Sequence, residues 1–459
     1  MQTESSINVE NCIEYPEKLS LKEKISYGIG DFASNLIWGV LGSFLLFFYT
    51  DVAFIPVAAT GSIFLISRVL DAFIDPVIGG IIDRTNSRWG RTKPYILFGI
   101  IPMCIFFVLS FTTIDASNTA KIIYAYVTYI IVGVLYSVVN IPYGALMSLM
   151  TKDTDEKSQL SSFRMGGMAL GSILVSACTM PLVGFFGHGN QQQGFIFTTC
   201  LYSIIGIISF LIITKNCKER NLATSAVEEG KTNVVTTYKN ALKNGPWVTT
   251  VSFAFILFVK VGATVAITIF YCLQVLKSPA MISVLLPLLY VSAMFSSFIT
   301  AAFLKKFKHR KGNIIAAVIY GAGFCIMPLF IDNQPVFISI YFIASLFGAI
   351  NMGSVFGMTA DSVDYNEWKF GKRTEGTLYA GYSFATKVGM AVGGAVVGYV
   401  LAFSGYDPQN ITASAVNSIN FLYFFIPIIF TVLQIIVLLF YKLDKIHPQI
   451  VAELNARKV

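Results

Sequence analysis

Residues 66–82 read ISRVLDAFIDPVIGGII, an apolar run of membrane length that nevertheless carries Arg68, Asp71 and Asp75. The three fall at i, i+3 and i+7, so on a helix they share one face, with the two aspartates one turn apart. A charge at the centre of a spanning helix costs about 2.5–3.5 kcal/mol on insertion scales, so this face is not set against lipid. It looks into a protein-lined, wet cavity. Two carboxylates one turn apart repel each other unless something positive shares their site. The candidates are Arg68 and a captured cation, either H⁺ or a metal ion. The competing reading is a buried ion-pair network that only pins helices together.

The remainder of the chain agrees with a membrane setting. Of its 459 residues 55% are hydrophobic and 13% charged, too apolar for a soluble protein of this size. Successive apolar segments of about 20 residues predict an all-α membrane protein. Twelve spans are expected, near 26–49, 57–82, 95–113, 121–147, 161–185 and 194–214, then 247–274, 280–303, 313–331, 335–360, 374–404 and 417–441. Residues 1–25 lack a signal-peptide pattern and read as a cytoplasmic tail. Two six-helix bundles (26–214 and 247–441) flank a polar cytoplasmic linker (215–246), and 442–459 form a second cytoplasmic tail.

Loop charge supports that topology. With both termini cytoplasmic, 27 of the 33 Lys and Arg residues fall in cytoplasmic segments and only Lys121 and Lys277 in external loops. The other four, Arg68, Arg164, Lys260 and Lys387, lie within spans. The net charge of +8 is thereby explained by membrane orientation, not by a nucleic-acid partner. His188, His309 and His447 fall outside the expected spans, so a proton relay across them has to use carboxylates. The seven cysteines form no CxxC pair and read as free core residues.

The two halves echo each other. Arg164 precedes MGGMALG and Lys387 precedes VGMAVGG, each in the fifth span of its half. Gly167 and Gly171 are four apart, as are Gly389 and Gly393, and Gly394 and Gly398. That spacing lets helix backbones approach closely. One intramembrane cation per half, at matching positions, suits a site between two pseudo-symmetric repeats.

Residues 79–94, GGIIDRTNSRWGRTKP, join spans two and three. Asp83, Arg84, Arg88, Arg91 and Lys93 there are expected to hold neighbouring helix ends in an ion-pair latch that breaks on each cycle, a gate. The same charges also serve orientation. No GxxxxGK[ST] sequence appears, which gives ATP-driven pumping no support.

Several motifs occur together: SYGIGD (26–31), YTDV (49–52), DAFIDP (71–76), SRWGRTKP (87–94), NIPYG (140–144) and DSVDYNEWKFGKRTEG (361–376). With the Lys387 segment, they make the chain resemble the glycoside–pentoside–hexuronide cation symporters, a branch of the major facilitator superfamily. The resemblance runs from about Leu21 to Tyr441. It implies the major facilitator fold, a central sugar site and a neighbouring cation site on the second helix. Asp71 and Asp75 match the paired cation carboxylates, and Ser137 a hydroxyl ligand on the fourth helix. Asn35 and Asn140 stand where melibiose-carrying members have sugar-gripping aspartates, and Arg164 and Lys387 match basic residues of the cavity. Asp31, one turn before Asn35, is a feature of the glucuronide- and xyloside-type members. The gating charge network comprises Arg68, Asp83, Arg84, Arg88 and Arg91, with Asp361, Asp364 and Arg373 from the 361–376 motif.

The chemistry independently suits a hydroxylated substrate. Asp31, Asn35, Tyr136, Asn140, Tyr143, Arg164 and Lys387 are polar groups in spans, the kind that fix sugar hydroxyls beside aromatic faces. The expectation is a non-enzymatic symporter of the bacterial inner membrane, monomeric, importing a glycoside, pentoside, hexuronide or related acidic sugar. Its partners are the sugar, the cation and the lipid bilayer; it needs no cofactor. Arg164 and Lys387, with asparagines in place of acids, favour an acidic sugar. The coupling ion is expected to be H⁺ in preference to Na⁺ at Asp71 and Asp75. A hard Na⁺ needs several oxygen ligands, and Ile74 stands where the melibiose type supplies an asparagine amide. The alternatives are a carrier of a lipid-like or other amphipathic solute, and a membrane sensor.

Overall fold

The computed structural model of the chain describes residues 18–83, 85, 87–151, 153–220, 241–371 and 375–456. It is built of helices. In the N-half, α1 (Leu21–Phe47) runs on through a π turn (Phe48–Val52) and is followed by α2 (Val57–Asp83), α3 (Lys93–Ser110), α4 (Asn118–Met150), α5 (Thr154–Gly187) and α6 (Gln191–Asn216). The C-half has α7 (Gly245–Phe270) with its π turn (Tyr271–Val275), then α8 (Ile282–Ile326), α9 (Gln334–Phe370) and α10 (Glu375–Phe403). A π turn (Phe421–Phe425) fuses α11 (Ala413–Asn420) to α12 (Ile426–Leu439), and α13 (Leu443–Ala456) closes the chain.

Eleven helical stretches among the described residues are long and apolar enough to cross a membrane. One of them, Pro279–Phe330, is 52 residues long, roughly 78 Å if straight, far beyond a hydrocarbon core of about 30 Å. It is broken at Lys308, whose φ of 60° and ψ of 171° leave the helical region. A Cβ on Gly312 would stand 2.9 Å from the side chain of Leu304, so the chain doubles back there and crosses twice. That makes the twelve crossings expected from hydropathy.

Sequence-local signals set the helix starts. Ser20 and Glu23 form a reciprocal capping box at α1, Asp153 accepts the Asp155 and Glu156 amides at α5, and asparagines 190, 244 and 333 cap α6, α7 and α9. The paired glycines do what their spacing predicts. A Cβ on Gly171 would lie 2.8 Å from the Phe32 carbonyl oxygen of α1, and one on Gly389 would lie 2.7 Å from the Phe255 carbonyl oxygen of α7. So α1 packs on α5, and α7 on α10, backbone to backbone and in the same way in each half.

The halves meet where α2 crosses α10. Gly61 and Gly398 face each other there, and Ser62 and Tyr399 share a hydroxyl hydrogen bond at 2.8 Å. At that end Phe47 of α1 touches Phe270 of α7, and Tyr406 donates to Asp51 at 2.7 Å. We call it the closed end. The opposite, basic end carries the Lys- and Arg-rich loops. Among the described residues, Asp75–Lys387 is the ion pair joining the halves that lies nearest to it. Beyond it Val77 and Ile81 of α2 are each more than half exposed.

Within residues 442–459, expected to be a C-terminal tail, 443–456 form α13, whose buried Leu443, Ile450 and Leu454 lie against the C-half.

Candidate functional site

The SYGIGD stretch shapes the wall of the cavity on α1. A Cβ on Gly28 would stand 2.6 Å from the Phe163 carbonyl oxygen, and one on Gly30 would overlap the Tyr143 ring. Only glycine lets α4 and α5 come this close. Tyr143 donates to the Tyr27 carbonyl at 2.6 Å, and Tyr27 donates to the Tyr143 carbonyl at 3.2 Å. Against this clasp Arg164 binds both oxygens of Asp31, through Nε to Oδ2 and through Nη2 to Oδ1, the latter at 3.3 Å. Its guanidinium lies 4.9 Å from the Tyr143 ring centroid.

One turn on from Asp31, Asn35 donates to the Asp31 carbonyl at 2.8 Å and accepts from Ser172 at 3.2 Å. Its amide therefore buttresses α1 and α5. Asn140 differs: its carbonyl oxygen is buried without a hydrogen-bond partner. Tyr136 stacks on Trp38 at 4.4 Å, and Arg68 covers Trp38 at 4.1 Å.

The charged face of α2 forms as its spacing predicts, and the structure assigns its partners. Arg68 donates to Asp71 at 2.8 Å and to Tyr129 at 3.4 Å, and Asp71 is buried. Gly133 of α4 leaves room for this: a Cβ there would be 3.3 Å from Asp71 Oδ1. Helices α2 and α4 run parallel, with Phe64 against Tyr129 and Asp71 against Gly133. Buried Ser137 follows one turn after Gly133, as Asp75 follows Asp71. Asp75 is ion-paired by Oδ2 to Lys387 of α10, while its Oδ1 is buried and unpartnered.

The site thus brings together three cations and three carboxylates in pairs: Asp31–Arg164, Arg68–Asp71 and Asp75–Lys387. Arg164 and Lys387, expected to favour an acidic sugar, are each paired with a carboxylate here. Arg68, expected in the gating network, sits in this centre, paired with Asp71.

Among the described residues loop 2–3, where an ion-pair latch is expected, is held by a clamp from Glu219. Glu219, just past α6, accepts from the backbone amides of Arg91 at 2.7 Å, Thr92 at 2.9 Å and Lys93 at 3.3 Å, and from the Thr92 hydroxyl at 2.6 Å. Gly90, at φ 106°, makes the bend that exposes these amides. Arg88 lies on Trp89. Arg84, Arg373 and the side chain of Asp83 lie outside the described residues. In the C-half Asp361 contacts His309 and His447, both at 3.6 Å, and Asp364 contacts His447 at 3.2 Å. Among the described residues, the contacts of each of these basic-end networks lie within its own half.

Sequence reasoning missed Trp38, Tyr129, Ser172 and Glu219. Trp38 had a signal: Asp31, Asn35 and Trp38 follow the same i, i+4, i+7 face. Glu219 had none, since its partners are backbone amides more than 100 residues away.

Residues 26–445 match the family described as "MFS/sugar transport protein". The chain is 35% identical over 443 residues to an isoprimeverose transporter of Lactiplantibacillus pentosus, covering 95% of this chain and 91% of that one. It is 32% identical to a putative glycoside/cation symporter, YagG, of Escherichia coli, over 93% of both chains. To the glucuronide carrier protein homolog of Escherichia coli it is 30% identical, over 96% of this chain and 97% of that one. Among solved structures, a bacterial homolog of the human lysosomal transporter Spinster superposes with a TM-score of 0.67 at 14% identity, covering 92% of this chain and 95% of that one. The nucleoside transporter NupG gives 0.63 at 12% identity, covering 91% and 98%. These two share the fold.

Proposed function

The chain belongs to the MFS/sugar transport family, and from that membership we propose that it imports a glycoside by cation symport, with both termini on the cytoplasmic side. One observation carries the reading: the ion pair between Asp75 of α2 and Lys387 of α10, across the two halves. The lysine ammonium occupies one oxygen of the expected cation carboxylates and ties the halves together. A coupling cation at Asp71 and Asp75 competes with Lys387 for the same charge. Binding the cation frees Lys387 and unties α2 from α10, so cation occupancy and the relative position of the halves become linked.

The basic end is the cytoplasmic one by the positive-inside rule. The sugar lies near Trp38, Tyr136, Asn140 and the Asp31–Arg164 pair. Asn140, with its buried unpartnered carbonyl oxygen, accepts a sugar hydroxyl. Because every cation at the site is paired, the substrate is a neutral glycoside; a uronate requires breaking one of the pairs. The similarity to an isoprimeverose transporter supports this preference. The coupling ion is H⁺, since Ile74 supplies no oxygen and a proton needs only one carboxylate.

Uptake of labelled neutral glycosides and glucuronides into membrane vesicles, with and without Na⁺ and alongside external pH, tests each part. Asp75→Asn is expected to lower gradient-driven accumulation at least about tenfold, worth 1.4 kcal/mol, and to spare counterflow. Accumulation that survives both Asp71→Asn and Asp75→Asn rules out the cation site. Uptake that needs Na⁺ and moves no protons rules out H⁺. A preference for glucuronides rules out the neutral substrate.

A further inference from the structure

The symport reading leaves one ionisable group at mid-membrane idle. Lys260 lies halfway along α7 and is 2% exposed. Its ammonium donates to Gln434 at 2.9 Å and to Thr431 at 3.5 Å, both on α12, and stands 3.9 Å from the centroid of the Tyr320 ring. Thr431 gives its own hydrogen to the Pro427 carbonyl, so it accepts from the lysine. Among the described residues, the titratable groups around Lys260 are phenols, Tyr320 with Tyr341 beside it. A permanent ammonium buried without a counter-ion is costly, several kcal/mol for an isolated ion. A lysine in such a place instead changes its protonation state readily.

A second, independent observation concerns the groups above and below it. Towards the closed end, Thr264 and Thr268 follow on α7, and the hydroxyls of Tyr271, Tyr341 and Tyr423 are buried without partners. The rings of Tyr271 and Tyr423 stack at 3.9 Å. Towards the basic end, Gln434 Nε2 and both amide atoms of Asn351 are likewise buried and unpartnered. One turn after Asn351 on α9, the Ser354 hydroxyl meets Asn313 at 2.7 Å and His309 at 2.9 Å. His309 reaches Asp361, which His447 of α13 shares. Asp364 and Asp444 stand beside that cluster. Buried polar groups in proteins are nearly always satisfied, so a run of unsatisfied ones along one bundle marks a hydrophilic path.

We propose that Lys260 is a proton-binding site of the C-half, distinct from Asp71 and Asp75, and that it exchanges its proton with the basic end along Asn351, Ser354, His309 and Asp361. The amine takes one proton from the His309–Asp361–His447 cluster and becomes the ammonium that grips Gln434 and Thr431. It returns that proton by the same path. Protonation therefore tightens α7 against α12, so the acidity at the basic end sets how freely the C-half changes shape.

The test is sugar counterflow by the full chain in proteoliposomes between about pH 6 and pH 9, the range that brackets histidine and a buried lysine. Wild-type protein is expected to change rate at least about threefold across that range, and Lys260→Met to change less than half as much. Lys260→Met that slows counterflow equally at every pH, or keeps the wild-type profile, overturns the proposal, since a purely structural lysine gives that result. If Lys260→Met does not yield monodisperse protein, Asn351→Ala and His309→Gln decide. Both keep the lysine, and both are expected to slow the response of counterflow to a pH jump at least about threefold. An unchanged response overturns the path and with it the site. Asp75→Asn, run in parallel, loses gradient-driven accumulation and keeps the Lys260-dependent part of the profile, so the two readings fail separately.

Discussion

Lys387 of α10 and Asp75 of α2 are 312 positions apart, yet they pair across the halves, and Arg164 of α5 pairs with Asp31 of α1. The identity of these charged residues was legible in the sequence, because a helical face with Arg68, Asp71 and Asp75 has few other uses. Which cation takes which carboxylate was not legible, since it depends on how distant helices cross. Asn35 shows the same limit: it reads as a substrate ligand, and its contacts with Ser172 and the Asp31 carbonyl were not legible. The Asp31–Arg164 pair gives a prediction at this scale. Removing one partner strands the other charge, so Asp31→Asn or Arg164→Gln should each destabilise the folded protein by about 3 kcal/mol. The double variant should recover at least half of that loss. Thermal unfolding followed by size-exclusion fluorescence measures it, and an additive double variant would show that the two charges act independently.

Adjacent glycines on α5 separate packing from composition. A Cβ on Gly167 would overlap the Gly28 carbonyl oxygen of α1, whereas one on Gly166 meets nothing within 4 Å. Gly167→Ala should therefore cost about 1–3 kcal/mol by overpacking, and Gly166→Ala should be neutral or slightly stabilising. Gly393 on α10, close against the Val259 carbonyl of α7, should behave as Gly167 does. Equal effects of Gly166→Ala and Gly167→Ala on the unfolding midpoint would contradict the close α1–α5 approach. The four-residue glycine spacing made these contacts legible. Helix α13 was overlooked despite a comparable pattern, with Leu443, Ile450 and Leu454 recurring on one face. Charge and polarity around them masked the stripe.

For the whole molecule, the twelve crossings followed from hydropathy and loop charge, but the conformation did not. Two arrangements of the same halves bury much the same residues, so composition does not choose between them. The closed end is held by Tyr406 on Asp51, with Gln274 donating to the Tyr406 hydroxyl at 3.3 Å. Burial, and Asp51 beside it, hold the Tyr406 phenol far above its usual range, so it remains a donor throughout physiological pH. Tyr406→Phe removes a hydrogen bond worth about 1 kcal/mol and should move the population away from the described conformation about fivefold. Cysteine accessibility at the two ends reads that shift. Unchanged accessibility would mean that the latch does not hold this end closed.

Among the described residues the basic-end networks lie within each half, with Glu219 clamped onto the loop after α2 and the histidines onto Asp361. The chain between residues 220 and 241 is therefore the place to separate the halves. The gene can then be divided at that point. Two separately translated polypeptides, each carrying its own six crossings, should assemble in one membrane and take up sugar, and failure of such a pair when both pieces insert would show that the connecting segment itself does something the halves cannot.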